Sequence, residues 1–171
     1  PVNKDTELKP LVRWQFRGGI PESERKAFLF NNVTDSRGNK YDIPLVVGAL
    51  ATTPEIYGIG MGVPVSDIGD HWKKALAAPL PPVEIQDAPC HEVILTGSDI
   101  DGEGKGLDAL PVPISTPGFD VAPYLTATSC ISRDPDTGVQ NMGTYRGGIK
   151  APDRIGLKMF VNLRQGGHAH W

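Results

Sequence analysis

The chain has 171 residues and a net charge of −3, with 17 Lys and Arg against 20 Asp and Glu, a length that suits one domain, or one domain with part of a second, and allows a real core. The acid excess, without any run of more than two basic residues, argues against a nucleic-acid partner. No apolar stretch reaches the roughly 18 to 20 residues of a membrane span, and the charged opening residues have no apolar region of a secretion signal, so the cytoplasm is the expected location.

Glycine (20) and proline (16) make up about a fifth of the chain, which points to a turn-rich α/β or β architecture rather than a helical bundle. Cys90 and Cys130 are far apart and lack CxxC spacing, so neither a disulfide scaffold nor a zinc knuckle is supported. Both are expected to be buried thiols. His91 beside Cys90 suggests a nucleophile and base, but neighbours on a strand face opposite ways and cannot exchange a proton. The chain opens at Pro1 without an initiator Met and stops at Trp171 directly after a strand-rich segment, as expected of a piece of something larger.

In chain order, residues 5–16 place Leu8, Leu11, Val12 and Phe16 on one helical face, with Gly18 and Gly19 as the stop. Residues 27–30 and 43–47 read as buried strands flanking a turn at residues 35–38. Thr53 before Pro54 predicts a short helix that Gly58 and Gly60 weaken. Ser66 or Asp67 then caps a better helix in which Ile68, Trp72, Ala75 and Leu76 share a face, ended by the PLPP run. Residues 83–85 and 92–95 are further strand candidates. The Gly-, Pro- and Asp-rich residues 97–118 form a long connection, and the domain change is placed there. Beyond it YLTATSCIS, VQNMGTYRGGI and RIGLKMFVN read as three strands.

Residues 129–146, SCISRDPDTGVQNMGTYR, hold the site pattern. Pro135 and Gly138 suit a tight turn between two antiparallel strands. Strand alternation puts Asn141, Gly143 and Tyr145 on one face and Thr144 and Arg146 on the other. Asn141 and Arg146 can therefore serve one site only across a bend, or through two bound groups, and Gly143 is the position expected to supply the bend.

The run RDPDTGVQNMGTYR, followed by a GG-containing, His-rich segment ending in HAHW, resembles the signature of the UbiD family of decarboxylases. The lead-in APCHEVILTG, the LPVPISTPG stretch and the early AFLFNNV resemble that family too, so the likeness spans nearly the whole chain. It implies an α/β (α+β) fold class: an amino-terminal α/β domain over residues 1–110, then the first strands of a split β-barrel over residues 111–171, incomplete in this chain. The implied cofactor is prenylated FMN, with a divalent metal, Mn2+ foremost, and K+ as a further candidate. The implied reaction is reversible loss of CO2 from an aromatic or α,β-unsaturated carboxylic acid. Implied partners are that acid, the remainder of the enzyme as a later domain or second chain, and further copies in a homo-oligomer.

By the same resemblance Arg146 matches the arginine of the family's Glu-Arg-Glu network, whose two glutamates do not map onto this chain. Asn141 matches the asparagine that binds the metal joined to the flavin phosphate. Gly143, Thr144, Tyr145 and Arg146 stand with it as cofactor contacts, and Arg164 and Gln165, before Gly166 and Gly167, are phosphate contacts by position. Blander readings stand beside these: an exposed strand arginine for Arg146 and a turn cap for Asn141. His168 and His170, spaced HxH, suit zinc only with a third ligand and otherwise pack as ordinary polar residues. The alternative function is a non-catalytic flavin-barrel subunit or fragment without turnover, and the isolated chain is expected to be inactive.

Overall fold

The computed structural model describes residues 1–50 and 52–159. The chain starts with a short strand, β1 (Val2–Asn3). The Asn3 side chain then accepts hydrogen bonds from the backbone N–H groups of Asp5 and Thr6, at 2.9 and 3.2 Å, while Glu7 Oε2 accepts from the Asn3 N–H at 2.8 Å. With the Glu7 N–H donating to the Asn3 carbonyl at 3.0 Å, these bonds close a turn over residues 3–7. Helix α1 (Leu8–Trp14) begins after that turn, later than the expected residue 5. It buries Leu8 and Val12, one turn apart, and runs into a π turn, Gln15–Gly19, that ends as Gly18 takes φ 90°. Leu11, expected on the buried face, is 52% exposed.

Strands β2 (Phe28–Phe30), β3 (Val33–Thr34), β4 (Lys40–Tyr41) and β5 (Leu45–Val47) follow. β2 pairs antiparallel with β5, while β3 lies parallel to β1 and antiparallel to β4. The strands expected at residues 27–30 and 43–47 are present but only one face of each is covered: Leu29 and Val46 are exposed. The core gathers where the two small sheets meet α1, from Val2, Leu8 and Val33, with Phe30, Tyr41, Leu45 and Val47 packed around it.

Helix α2 (Pro54–Met61) starts after extended Thr53 and ends on Gly62 at φ 67°, and α3 (Ile68–Ala77) follows. The stripe expected on α3 exists, but no residue of that helix is buried and Trp72 and Leu76 are exposed. The strands expected at residues 83–85 and 92–95 do not form. Pro81, Pro82 and Pro89 remove ladder donors there, and Val83, Ile85, Val93, Ile94 and Leu95 all stay exposed. Cys90 lies in this stretch and is exposed, and Cys130 is half-buried, so neither is the buried thiol expected. No helix among the described residues is long and apolar enough to cross a membrane.

The expected long connection is largely irregular, with short 3-10 turns at Gly97–Asp99 and Gly106–Ala109. Beyond it the three expected strands become five: β6 (Tyr124–Leu125), β7 (Ser129–Arg133), β8 (Gln140–Thr144), β9 (Gly147–Ala151) and β10 (Arg154–Leu157). β7 and β8 form a two-stranded ribbon, and β10, β9 and β6 form an antiparallel sheet with β9 in the middle. Among the described residues no closed barrel is formed; the fold is a mixture of helices and mostly antiparallel strands.

Hydrogen bonds tie the two ends together. Asp5 Oδ1 accepts from the Ile114 N–H at 3.2 Å, and Lys9 Nζ donates to Thr116 Oγ1 at 2.7 Å. The connection also docks on the β9–β10 turn, where the Leu107 N–H donates to the Pro152 carbonyl at 2.8 Å. A Cβ at residue 106 would lie 2.5 Å from that same oxygen, so only glycine permits the approach.

Candidate functional site

The β7–β8 ribbon is closed by the expected DPDTG turn. Asp134 Oδ1 accepts from the N–H groups of Asp136 and Thr137, at 2.9 and 2.8 Å. The Gly138 N–H donates to the Asp134 carbonyl at 2.9 Å, with Gly138 at φ 72°. An Asx turn followed by a left-handed glycine reverses the chain at little cost.

The register sets Ser132 opposite Asn141 and Cys130 opposite Gly143. These four form the half-covered face of the ribbon, while Ser129, Ile131, Arg133, Gln140, Met142 and Thr144 point outward. The Asn141 amide nitrogen is buried without a hydrogen-bond partner among the described residues. Such a donor is costly to leave bare, and no described residue uses it.

The expected bend at Gly143 is not there, because Gly143 stays in register opposite Cys130. The ladder breaks at Tyr145 and Arg146, where the chain leaves the ribbon and enters the β9 sheet. Tyr145 is buried and its carbonyl accepts a hydrogen bond from Thr128 Oγ1. Its ring lies over Gly143, where a Cβ would come within 2.6 Å of a ring carbon. Arg146 is exposed, with its guanidinium carbon 5.9 Å from the Tyr124 ring centroid. The structure thus turns Asn141, Gly143 and Tyr145 inward and leaves Thr144 and Arg146 outside, as alternation requires. Arg164, Gln165, His168 and His170 lie outside the described residues.

Residues 82–171 match the family described as UbiD, the 3-octaprenyl-4-hydroxybenzoate carboxy-lyase Rift-related domain. The chain belongs to the UbiD family. Among solved structures it is similar to the UbiD-class enzyme HmfF from Pelotomaculum thermopropionicum in complex with FMN, at 31% identity and a TM-score of 0.73, over 94% of this chain and 32% of that one. An evolved dimeric form of HmfF in complex with prFMN matches at 28% identity and a TM-score of 0.65, over 94% and 33%. The apo 3,4-dihydroxybenzoic acid decarboxylase of Enterobacter cloacae shares the fold, at 24% identity and a TM-score of 0.72, over 94% and 32%. This UbiD-family chain therefore spans about a third of the length of the structures it matches.

Two features of the site are not legible in the sequence. Tyr124 reads there only as part of a strand, although the Gly147-Gly148 pair is a signal of close approach. The second feature is a cleft of about 1000 Å³ lined by residues 35–43 on one side and by parts of residues 103–123 and 149–152 on the other, with neither Asn141 nor Arg146 on its wall. On its wall Lys4 Nζ lies 2.8 Å from Asp5 Oδ1, and Tyr41 donates to Asp35 Oδ2 at 3.1 Å. Burial, helped by the charge and hydrogen bond of Asp35, raises the Tyr41 phenol well above its ordinary value. Among the described residues no three His, Cys, Asp or Glu side chains converge on a metal-sized site.

Proposed function

We propose that this chain is the amino-terminal part, or a subunit, of a UbiD-type decarboxylase that reversibly removes CO2 from an aromatic or α,β-unsaturated carboxylic acid with prenylated FMN. Residues 1–110 would form its α/β domain and residues 111–171 the first strands of a split β-barrel for the flavin. The observation that carries the reading is the Asn141 amide nitrogen, buried and without a partner among the described residues on the half-covered face of the signature hairpin. Its oxygen suits a hard divalent ion such as Mn2+, and its nitrogen can donate to a phosphate oxygen. The residues present therefore fit a metal-linked phosphate, with further ligands to come from outside the described residues and K+ as a second candidate ion. Gly143, Thr144, Tyr145, Arg164 and Gln165 are assigned to the same cofactor.

Arg146 is assigned to the substrate. Its planar fork can hold a carboxylate by two parallel hydrogen bonds and fix its approach. When bound, the flavin takes up the electron pair left on carbon as CO2 departs. A proton must then reach that carbon from an acid, and the acids of the family's network have no counterpart in this chain, so we assign that step to the remainder of the enzyme. A homo-oligomer in the cytoplasm completes the reading.

The test is reconstitution. The chain alone and the chain combined with the remaining two thirds of a UbiD-class enzyme are each supplied with prenylated FMN and Mn2+, and CO2 release is measured from cinnamate and benzoate panels. Turnover by the combination alone supports the reading. Flavin bound without turnover in either sample leaves only a flavin-binding subunit, and neither binding nor turnover overturns both.

A further inference from the structure

β6 begins at Tyr124, which sits opposite Gly148 in β9. A Cβ at residue 148 would lie 2.9 Å from a Tyr124 ring carbon, so the ring rests on bare backbone. That floor is firm: Gly147, Gly148 and Ile149 are buried, and the Ile149 N–H donates to the Pro123 carbonyl at 3.0 Å. The Arg146 guanidinium carbon lies 5.9 Å from the centroid of the same ring, inside the range of a cation–π contact. Arg146 has no carboxylate partner among the described residues. An aromatic face holds the cation without accepting any of its N–H donors, which all stay available to carboxylates.

We propose that Tyr124 is a positioning residue that holds the Arg146 fork, through its ring face, in the orientation that receives a substrate carboxylate. The proposal rests on the assignment of Arg146 to the substrate. Gly148 belongs to the same device, because any side chain there would lift the ring.

Two measurements test it. In the 171-residue chain, NMR of the Arg146 side chain should show its δ-methylene protons shifted by the ring current in the parent and in Tyr124→Phe. They should move to ordinary arginine positions in Tyr124→Leu and in Gly148→Ala, which keeps the tyrosine but displaces its ring. In the flavin-loaded enzyme, Tyr124→Phe should turn over within about twofold of the parent. Tyr124→Leu should lose on the order of 10- to 100-fold per bound flavin, with a raised KM for the carboxylate and unchanged flavin content. Unshifted protons in the parent would overturn the contact. A Tyr124→Phe enzyme as slow as Tyr124→Leu would assign the effect to the hydroxyl and overturn the ring-face role. Normal turnover in Tyr124→Leu with Arg146→Lys impaired would overturn the positioning role alone. Normal turnover in Arg146→Lys would remove the assignment of Arg146 and this inference with it.

Discussion

Gly143 and Tyr145 share one volume: the Tyr145 ring lies where a side chain on residue 143 would project, within 2.6 Å of the position a Cβ would take. The two residues sit two apart on one face, so the glycine makes room for its own neighbour. Gly143→Ala should therefore push a buried ring off its seat and cost about 1 to 3 kcal/mol, as overpacking does. The shift should be read as a lower urea midpoint together with altered near-UV circular dichroism from Tyr145. An unchanged midpoint would mean that the ring has another place to go.

Two other glycines should respond in opposite directions. Gly60 lies inside α2 with nothing within 4 Å of the place a Cβ would occupy, so Gly60→Ala should stabilise the chain by about 0.5 to 1 kcal/mol. Gly138 also has open space around it but holds φ 72° in the hairpin turn, and Gly138→Ala should cost about 1 to 2 kcal/mol through backbone strain alone. Thermal unfolding of the pair separates space from conformation. Equal effects of the same sign would contradict both assignments.

That contrast also shows what the sequence could tell. Pro135 and Gly138 announced their turn because the requirement is local, and the alternation from Asn141 to Arg146 followed from strand geometry. The break at Tyr145 and Arg146 was not legible, since it arises from two different sheets claiming β8 and β9. Likewise β1, with two residues, has no periodicity to read and exists because Val33 and Thr34 offer it a ladder. The strands expected at residues 83–85 and 92–95 failed for the converse reason: apolar residues were present, but a strand needs a partner and the prolines around them remove donors. The place of Tyr124 could not be read either, because it depends on Gly148, distant in sequence but directly opposite it in the sheet.

Acid should loosen the turn at residues 35–41. Burial pushes the Asp35 carboxyl up, but hydrogen bonds from the Asn39 side chain and backbone, from Tyr41 and from the Arg37 N–H outweigh it and hold the group below its ordinary value of 3.8. Folding thus favours the ionised form. Its contribution is complete above the unfolded value and is lost as pH falls through about 4 toward the lower folded value. Asp35→Asn should flatten this acid limb of a stability-against-pH curve. Tyr41 works in the other direction, since its raised phenol favours the neutral form and its contribution fades only as pH rises past about 10. An acid limb that survives in Asp35→Asn would assign the effect elsewhere.

Asp5 joins three segments. Its carboxylate accepts from Lys4 Nζ at 2.8 Å, from the Ser36 N–H at 3.3 Å and from the Ile114 N–H at 3.2 Å. Lys4 and Asp5 are 4% and 8% exposed, so Asp5→Ala leaves a buried ammonium without its counter-charge. Removing one partner of a buried pair costs about 3 to 5 kcal/mol. The variant should unfold at lower urea, and hydrogen exchange at the Ile114 amide should accelerate. If the midpoint falls while Ile114 stays protected, the tie between residue 5 and the connection is not what holds residues 112–116 in place.

Asn141 and Arg146 should fail in different ways. Asn141 faces inward with an amide nitrogen that no described residue uses, whereas Arg146 stands outside beside Tyr124. If Asn141 anchors the metal and phosphate, Asn141→Ala removes an oxygen ligand from a hard cation and weakens the bridge to a doubly charged group. Flavin and metal content should fall first, with turnover per bound flavin changed less. If Arg146 clamps the substrate carboxylate, Arg146→Lys keeps the charge but loses the planar fork, so one contact would replace two and the carboxylate would approach the flavin in a poorly defined pose. Misplacement of a reacting group costs on the order of 100-fold in rate, so that variant should keep its flavin and lose turnover. Flavin absorbance of each purified enzyme, set beside CO2 release per flavin, distinguishes the two. Full flavin and metal in Asn141→Ala would refute the anchoring role, and near-normal turnover in Arg146→Lys would refute the carboxylate clamp.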